Sequence, residues 1–173
     1  MRVVNCLSER LNPEIVLRRP NVADGPAVFN LIASCPPLDT NSRYCNLLQC
    51  HHFASTSVAA FLEQTLVGFV SGYLLPERAD TLFVWQVAVA DSARGQGLAS
   101  RMLQHILARA ELTDVRFIET TITDTNRASW ALFERLAQSL DTSLQRSLLL
   151  ERNLHFDNQH DSEFLARLGP LAR

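Results

Sequence analysis

Arg94-Gly95-Gln96-Gly97-Leu98-Ala99 links the most apolar stretch of the chain, Thr81–Val89, to its clearest amphipathic one. Glycines let a chain bend tightly and let a ligand approach the backbone with no Cβ in the way. A helix that starts at such a turn offers free N–H groups and the positive end of its dipole, which suit a phosphate or pyrophosphate. Without a ligand, the same turn is an ordinary strand-to-helix connection. A dinucleotide-binding fingerprint fits poorly, because Ser100 stands where its third glycine belongs. Its acidic ribose ligand would have to be Glu119, which falls inside the next strand instead of at its end.

Glu119 is the second candidate. It is flanked by Phe117, Ile118 and Thr120, and strand alternation puts it on one face with Phe117 and Thr121. A lone acid in an apolar strand is unusual unless it is paired or functional. It could take a proton, directly or through a water, or anchor an ammonium. Cys50-His51-His52 invites a metal reading, but adjacent residues rarely converge on one ion and no second ligand cluster has a recognisable spacing. No metal is expected. All 16 basic residues are Arg, so Schiff-base and Lys-nucleophile chemistry are excluded. Cys6, Cys35, Cys45 and Cys50 form no CxxC pair, and unpaired thiols suggest a reducing cytosol.

These residues need elements to hold them. Ile15-Val16-Leu17 reads as a first strand. Asn21 or Asp24 can cap a helix carrying Val28, Leu31 and Ile32, ended by Cys35-Pro36-Pro37. Asn41 or Ser42 can cap a second helix with Tyr44, Leu47 and Leu48 on its apolar side. Ser57–Leu62 and Leu66–Tyr73 form a hairpin, and Gly68 and Gly72 suggest a bulge or a close backbone approach. Pro76–Asp80 reads as a loop, and Thr81–Val89 as a strand covered on both faces. A helix follows the glycine turn to about Ala110, with Leu98, Met102, Leu103, Ile106 and Leu107 at helical spacing. Val115–Thr123 is the next strand, and Asn126 caps a helix carrying Ala128, Leu132 and Leu136. Ser147–Leu168 is expected to hold strands around a polar loop at Asp157–Ser162. A meander followed by a βαβ crossover makes a mixed α/β (α+β) layer fold.

The chain has 173 residues, 47% apolar and 20% charged, which is ordinary for one globular domain. Residues 1–14 read as a loose tail and 15–173 as a single domain. A net charge of −2 offers no basic field for nucleic acid or anionic lipid. No apolar run approaches the roughly 20 residues of a membrane helix, and the first residues show no secretory signal.

Val87-Ala88-Val89, four residues, then Arg94-Gly95-Gln96-Gly97-Leu98-Ala99, with Asn126 opening a later helix, resembles the acetyl-CoA motif of the GCN5-related N-acetyltransferases. Arg94, Gly97 and Ala99 fill that family's Gln/Arg-x-x-Gly-x-Gly/Ala pattern. The resemblance implies a central splayed mixed β-sheet flanked by helices. It implies turn amides on the pyrophosphate, and the strand ending at Val89, with Asn126, on the pantetheine arm. A narrower resemblance extends from about Ile15 to Pro170. Pro36-Pro37-Leu38-Asp39, Asn41-Ser42, Tyr44, Gly68-Phe69-Val70-Ser71-Gly72-Tyr73, Trp85-Gln86-Val87-Ala88-Val89, Glu119-Thr120-Thr121-Ile122-Thr123, Ala128-Ser129-Trp130, His160-Asp161 and Glu163 look like the L-2,4-diaminobutyrate N-acetyltransferases of ectoine synthesis.

That resemblance implies acetyl-CoA and L-2,4-diaminobutyrate as substrates, acetylation of the γ-amine, a cytoplasmic homodimer, and no nucleic acid, membrane or metal. It points to Asp39, Tyr44, Trp85, Glu119, His160 and Glu163 as the amine pocket, with Asp39, Tyr44 and Glu119 as candidates for the chemistry. Each also has a structural reading: Asp39 could shape a turn, Tyr44 and Trp85 could be core, and His160 and Glu163 could be solvated surface. Many members of the superfamily carry a Tyr seven residues after the helix-opening Asn, to protonate the departing thiolate. Phe133 stands there in this chain, as in the diaminobutyrate enzymes, and cannot donate a proton. Tyr44, His160 or a water are the remaining candidates for the acid. Asp157-Asn158-Gln159 stands where the narrower family tends to have glycines.

Overall fold

The computed structural model describes residues 14–172, so the expected tail lies, but for Glu14, outside the described residues. Seven strands form one mixed sheet: β1 (Ile15–Arg18), β2 (Val58–Leu62), β3 (Thr65–Leu75), β4 (Arg78–Val89), β5 (Phe117–Thr123), β6 (Leu144–Leu150) and β7 (Glu163–Leu168). Their spatial order is β1-β2-β3-β4-β5-β7-β6. Only the β4–β5 pairing is parallel. The helices are α1 (Gly25–Ala33), α2 (Arg43–His52), α3 (Leu98–Leu107), α4 (Arg127–Ser139) and the single turn α5 (Arg152–His155).

Local chemistry sets the helix starts. The Asn21 side chain accepts from the Ala23 N–H in a 3-10 turn that runs into α1. Ser42 accepts from the Cys45 N–H at 3.0 Å and caps α2, while Asn126 accepts from the Ser129 N–H at 3.1 Å and caps α4. Helices α1 and α2 cover one face of the sheet, packing Val28, Ile32 and Cys50 on Ala59, Phe69 and Ala88. Helices α3 and α4 cover the other, packing Met102, Ile106, Trp130 and Leu136 on Val70, Leu82, Val84, Ile118 and Ile122.

Strand β4 serves both cores because it contains a bulge. Ser71 of β3 pairs with Gln86, and the next residue, Gly72, pairs with Val84, so Trp85 is the extra residue. Side chains alternate along a strand, and one extra residue reverses which face the later ones take. Leu82 and Val84 therefore lie under α3 and α4, and Ala88 lies under α1. A Cβ on Gly72 would come within 2.8 Å of the Phe83 carbonyl oxygen, so this is a close backbone approach beside a bulge. Gly68 borders a second bulge, since Ala60 pairs with Gly68 and Phe61 with Leu66.

Three expectations change. The loop at Pro76–Asp80 shrinks to a turn, because Leu75 pairs with Arg78 and strand continues from there. Strand β6 begins at Leu144, paired with Leu168, ahead of the expected Ser147. Helix α2 buries Asn46, Gln49 and Cys50, leaving Tyr44 70% exposed and Leu47 and Leu48 only half-buried. Its inward face is polar, and Asn46 Nδ2 approaches Gln49 Oε1 one turn away at 3.5 Å.

Candidate active site

Parallel pairing between β4 and β5 runs through Thr81–Phe117, Leu82–Ile118 and Phe83–Glu119, and stops there. Beyond that point the strands part, and a cavity of about 860 Å³ opens in the fork. Residues 84–87 of β4 form one wall and residues 120–123 of β5 the other. The loop after α1 (Pro37-Leu38-Asp39), the start of α4 with Asn126, and the loop between α5 and β7 close the sides. The expected splay in the sheet is thus present, and it forms the site.

Asp39, Asp161 and Glu163 line the cavity with His160. Arg152 also lines it but is committed to Asp161 at 3.0 Å and to the Asn158 carbonyl at 3.1 Å. The Asp39 carbonyl accepts from Gln86 Nε2 at 2.7 Å, which ties its loop to β4. Glu163 opens β7 opposite Thr123 and is largely buried, with His160 Nε2 3.8 Å from its Oε1. Burial pushes the Glu163 carboxyl up; His160 and the Thr121 hydroxyl pull against this, Asp39 adds to it, and the result lies above the usual carboxylate range. A carboxylate raised in this way is a better base than an ordinary one.

Trp85 also lines the cavity, 42% exposed, with its ring 6.3 Å from Tyr73 and 6.4 Å from Phe53. Phe133 lines the cavity too, 2% exposed, so no hydroxyl stands at that position.

Two candidates lie outside the lining. Tyr44 is on the exposed side of α2, 70% exposed. Glu119 is 2% exposed and clamped by two arginines. Arg78 Nη1 and Nη2 donate to its Oε1 and Oε2 at 2.7 and 2.9 Å, and Arg167 donates to Oε1. Burial pushes this carboxyl up, but the hydrogen bonds from Arg78 and Arg167 outweigh it and hold the group below the usual range. In this arrangement Glu119 is a doubly paired, lowered carboxylate, which makes it a weaker base than an unpaired one.

The glycine turn leads from the end of β4 into α3. Gly95 and Gly97 have φ of +75° and +71°, and nothing lies within 4 Å of a Cβ built on either. Glycine is needed there for conformation, not for space. Gly97 begins α3 with no side-chain cap, which leaves the first-turn N–H groups to a ligand. These features suit a pyrophosphate. Of the other cofactor candidates, Val87 lines the cavity, while Ala88 and Leu98 are buried in the two cores and can offer only main-chain atoms. Val89 and Ala99 pack against the core under α3 and α4. Gln96 turns back to the Ser92 carbonyl at 3.3 Å. The Arg94 side chain also turns back on the protein, donating to the Val89 carbonyl at 3.1 Å and pairing with Asp91 at 2.7 Å.

Sequence reasoning assigned no role to Gln86, Thr121, Arg127 or Arg152, all of which line the cavity. Gln86 carried a readable signal, since a polar residue inside an apolar strand is as unusual as Glu119.

The profile of the Acetyltransferase (GNAT) family matches residues 26–137. The chain is 56% identical over 159 residues to the L-2,4-diaminobutyric acid acetyltransferase of Methylotuvimicrobium alcaliphilum, covering 92% of each protein. It is 43% identical over 158 residues to that of Halomonas elongata, covering 91% of this chain and 82% of the relative. A solved structure of the diaminobutyrate acetyltransferase EctA from Paenibacillus lautus, in complex with its substrate L-2,4-diaminobutyric acid and coenzyme A, superposes with a TM-score of 0.89 at 38% identity. It covers 93% of this chain and 98% of that one. With the forked sheet, the uncapped α3 turn and the cavity between them, the chain belongs to the GNAT acetyltransferases and, within them, to the diaminobutyrate acetyltransferase family.

Proposed function

We propose that this protein transfers acetyl from acetyl-CoA to the γ-amine of L-2,4-diaminobutyrate, giving the N-γ-acetyl precursor of ectoine. The observation that carries the reading is the 56% identity, over 92% of both chains, with a relative of that name. The Asp39 and Glu163 carboxylates in the fork support it, because a substrate with two ammonium groups favours carboxylates around it.

Bound acetyl-CoA supplies an activated thioester whose sulfur leaves as thiolate. The chain's own residues do the rest. The amides of Gly97, Leu98 and Ala99 at the start of α3 are suited to the pyrophosphate, and the edge of β4 at Val87 to the pantetheine arm. Glu163 is suited to take the proton from the γ-ammonium, since a neutral amine is needed for attack and its carboxyl is raised by burial. His160 and Asp39 add polar contacts for the amines, and Trp85 provides an apolar wall for the carbon chain. Glu119 is a positioning residue in this reading, fixing where the fork begins. With Phe133 in the wall, proton return to the thiolate falls to His160 or a water.

The reading extends to a cytoplasmic homodimer. Leu148 and Leu149 on edge strand β6, 49% and 46% exposed, supply an apolar strip for such a contact. Thiol release from acetyl-CoA with L-2,4-diaminobutyrate, ornithine, lysine and 2,3-diaminopropionate tests the activity, with NMR to locate the acetyl group. Strong preference for diaminobutyrate with acetyl on the γ-nitrogen is expected. Preference for another amine would overturn the substrate.

A further inference from the structure

Two acceptor atoms on cavity-lining side chains have no hydrogen-bond partner among the described residues: Glu163 Oε2 and Gln86 Oε1. Gln86 is 6% exposed, so its oxygen is shielded from bulk water. Chemistry fixes its amide orientation. Only the NH2 end can meet the Asp39 carbonyl, at 2.7 Å, so the oxygen is the end left over. A buried acceptor left unpaired is costly and calls for an explanation.

What would satisfy it must donate. A carboxylate or a thioester carbonyl cannot, but an ammonium can. The two unpartnered acceptors stand on different elements, Gln86 on β4 and Glu163 at the start of β7. Acceptors on two separate strands suit a diamine, which can offer one ammonium to each. If Glu163 serves the amine that reacts, Gln86 remains for the amine that does not.

We infer that Gln86 Oε1 accepts a hydrogen bond from the substrate ammonium that is not acetylated, making Gln86 a residue that selects diamines over monoamines. The inference rests on the function proposed above and deepens it. Asp39, which also lines the cavity, adds negative charge for the same ammonium, and the Gln86 amide holds the Asp39 loop in place. A rival partner is Ser71, which pairs with Gln86 across β3 and β4. Its hydroxyl is also unpartnered, but it is fully buried and outside the cavity lining.

The test compares L-2,4-diaminobutyrate with 4-aminobutyrate, which has the same carbon chain, carboxylate and reacting amine but lacks the second one. Both kcat/KM with acetyl-CoA and calorimetric binding to the CoA-loaded protein are read. The wild type is expected to prefer the diamine in both assays. Gln86→Leu should shrink that preference about tenfold to a hundredfold, the ordinary range for losing one hydrogen bond to a charged group. Gln86→Glu keeps an acceptor oxygen and adds a charge that attracts an ammonium, while giving up the tether to Asp39, so it should retain the preference. Ser71→Ala should leave it unchanged. Equal losses for both amines in Gln86→Leu, a Gln86→Glu variant that behaves like Gln86→Leu, or a Ser71→Ala variant that loses the preference would overturn the inference and leave the proposed function standing. A wild type inert toward diaminobutyrate would overturn the proposed function, and the inference with it.

Discussion

Phe83 and Glu119 are the last residues paired across β4 and β5, and everything the cavity contains lies past them. At that point one carboxylate ties three strands together, through Arg78 on β4 and Arg167 on β7. The prominent acid of β5 thus sits at the hinge of the fork and not in its opening.

Replacing Glu119 by Gln should lower Tm by several degrees at neutral pH, because two arginines lose their shared partner. The lowered folded-state pKa fixes the pH dependence. Its stabilisation is fully present above the unfolded value of about 4.3 and is lost as pH falls through the folded one. The gap between wild type and Glu119→Gln should therefore narrow below about pH 4. Thermal denaturation across pH 3–7 measures it, and a gap that widens in acid would contradict the clamp.

Glu163→Gln should lower kcat roughly a hundredfold or more if Glu163 takes the amine proton. In the wild type, a raised pKa means the base form appears only above the usual carboxylate range. The acid limb of the rate profile should then lie above about pH 4.3 and disappear in the variant. A variant that keeps both rate and limb would remove Glu163 from the chemistry.

Gly97→Ala tests the turn. No atom lies within 4 Å of the added methyl, so the cost is that of forcing an L-residue to φ +71°, about 1 kcal/mol. Realignment of the first α3 amides should raise KM for acetyl-CoA severalfold and leave KM for the amine nearly unchanged. Steady-state kinetics with each substrate varied separates the two.

Trp85→Ala should raise KM for the amine about threefold to tenfold, the scale of one lost aromatic contact. Tm should move little, since the side chain is 42% exposed. A large fall in Tm with unchanged KM would mean that the indole only props up its neighbours Tyr73 and Phe53.

Much of this could be read from local sequence. The glycine turn, the capping residues and the apolar periodicity of α3 depend on neighbours a few positions apart, and they lie where expected. What escaped is long-range. Nothing near Glu119 announced that it is clamped, because its partners Arg78 and Arg167 are 41 and 48 residues away. The bulge at Trp85 escaped because Leu82, Val84, Gln86 and Ala88 alternate in sequence without a break, and only pairing with β3 reveals that they divide between two faces. Glu163 was named through the resemblance alone, because its burial depends on a strand that enters the sheet between two others.

That strand order bears on how the molecule is made. The last of the described strands, β7, lies between β5 and β6 and carries both Glu163 and Arg167. During synthesis β6 emerges with no neighbour to pair with, β5 has one bare edge, and the Glu119 clamp lacks an arm. The nascent chain can form the donor-binding turn early, yet it cannot assemble the proposed base until residues 163–168 have left the ribosome. A chain terminated before Glu163 would be both inactive and edge-exposed, and so a ready target for proteolysis.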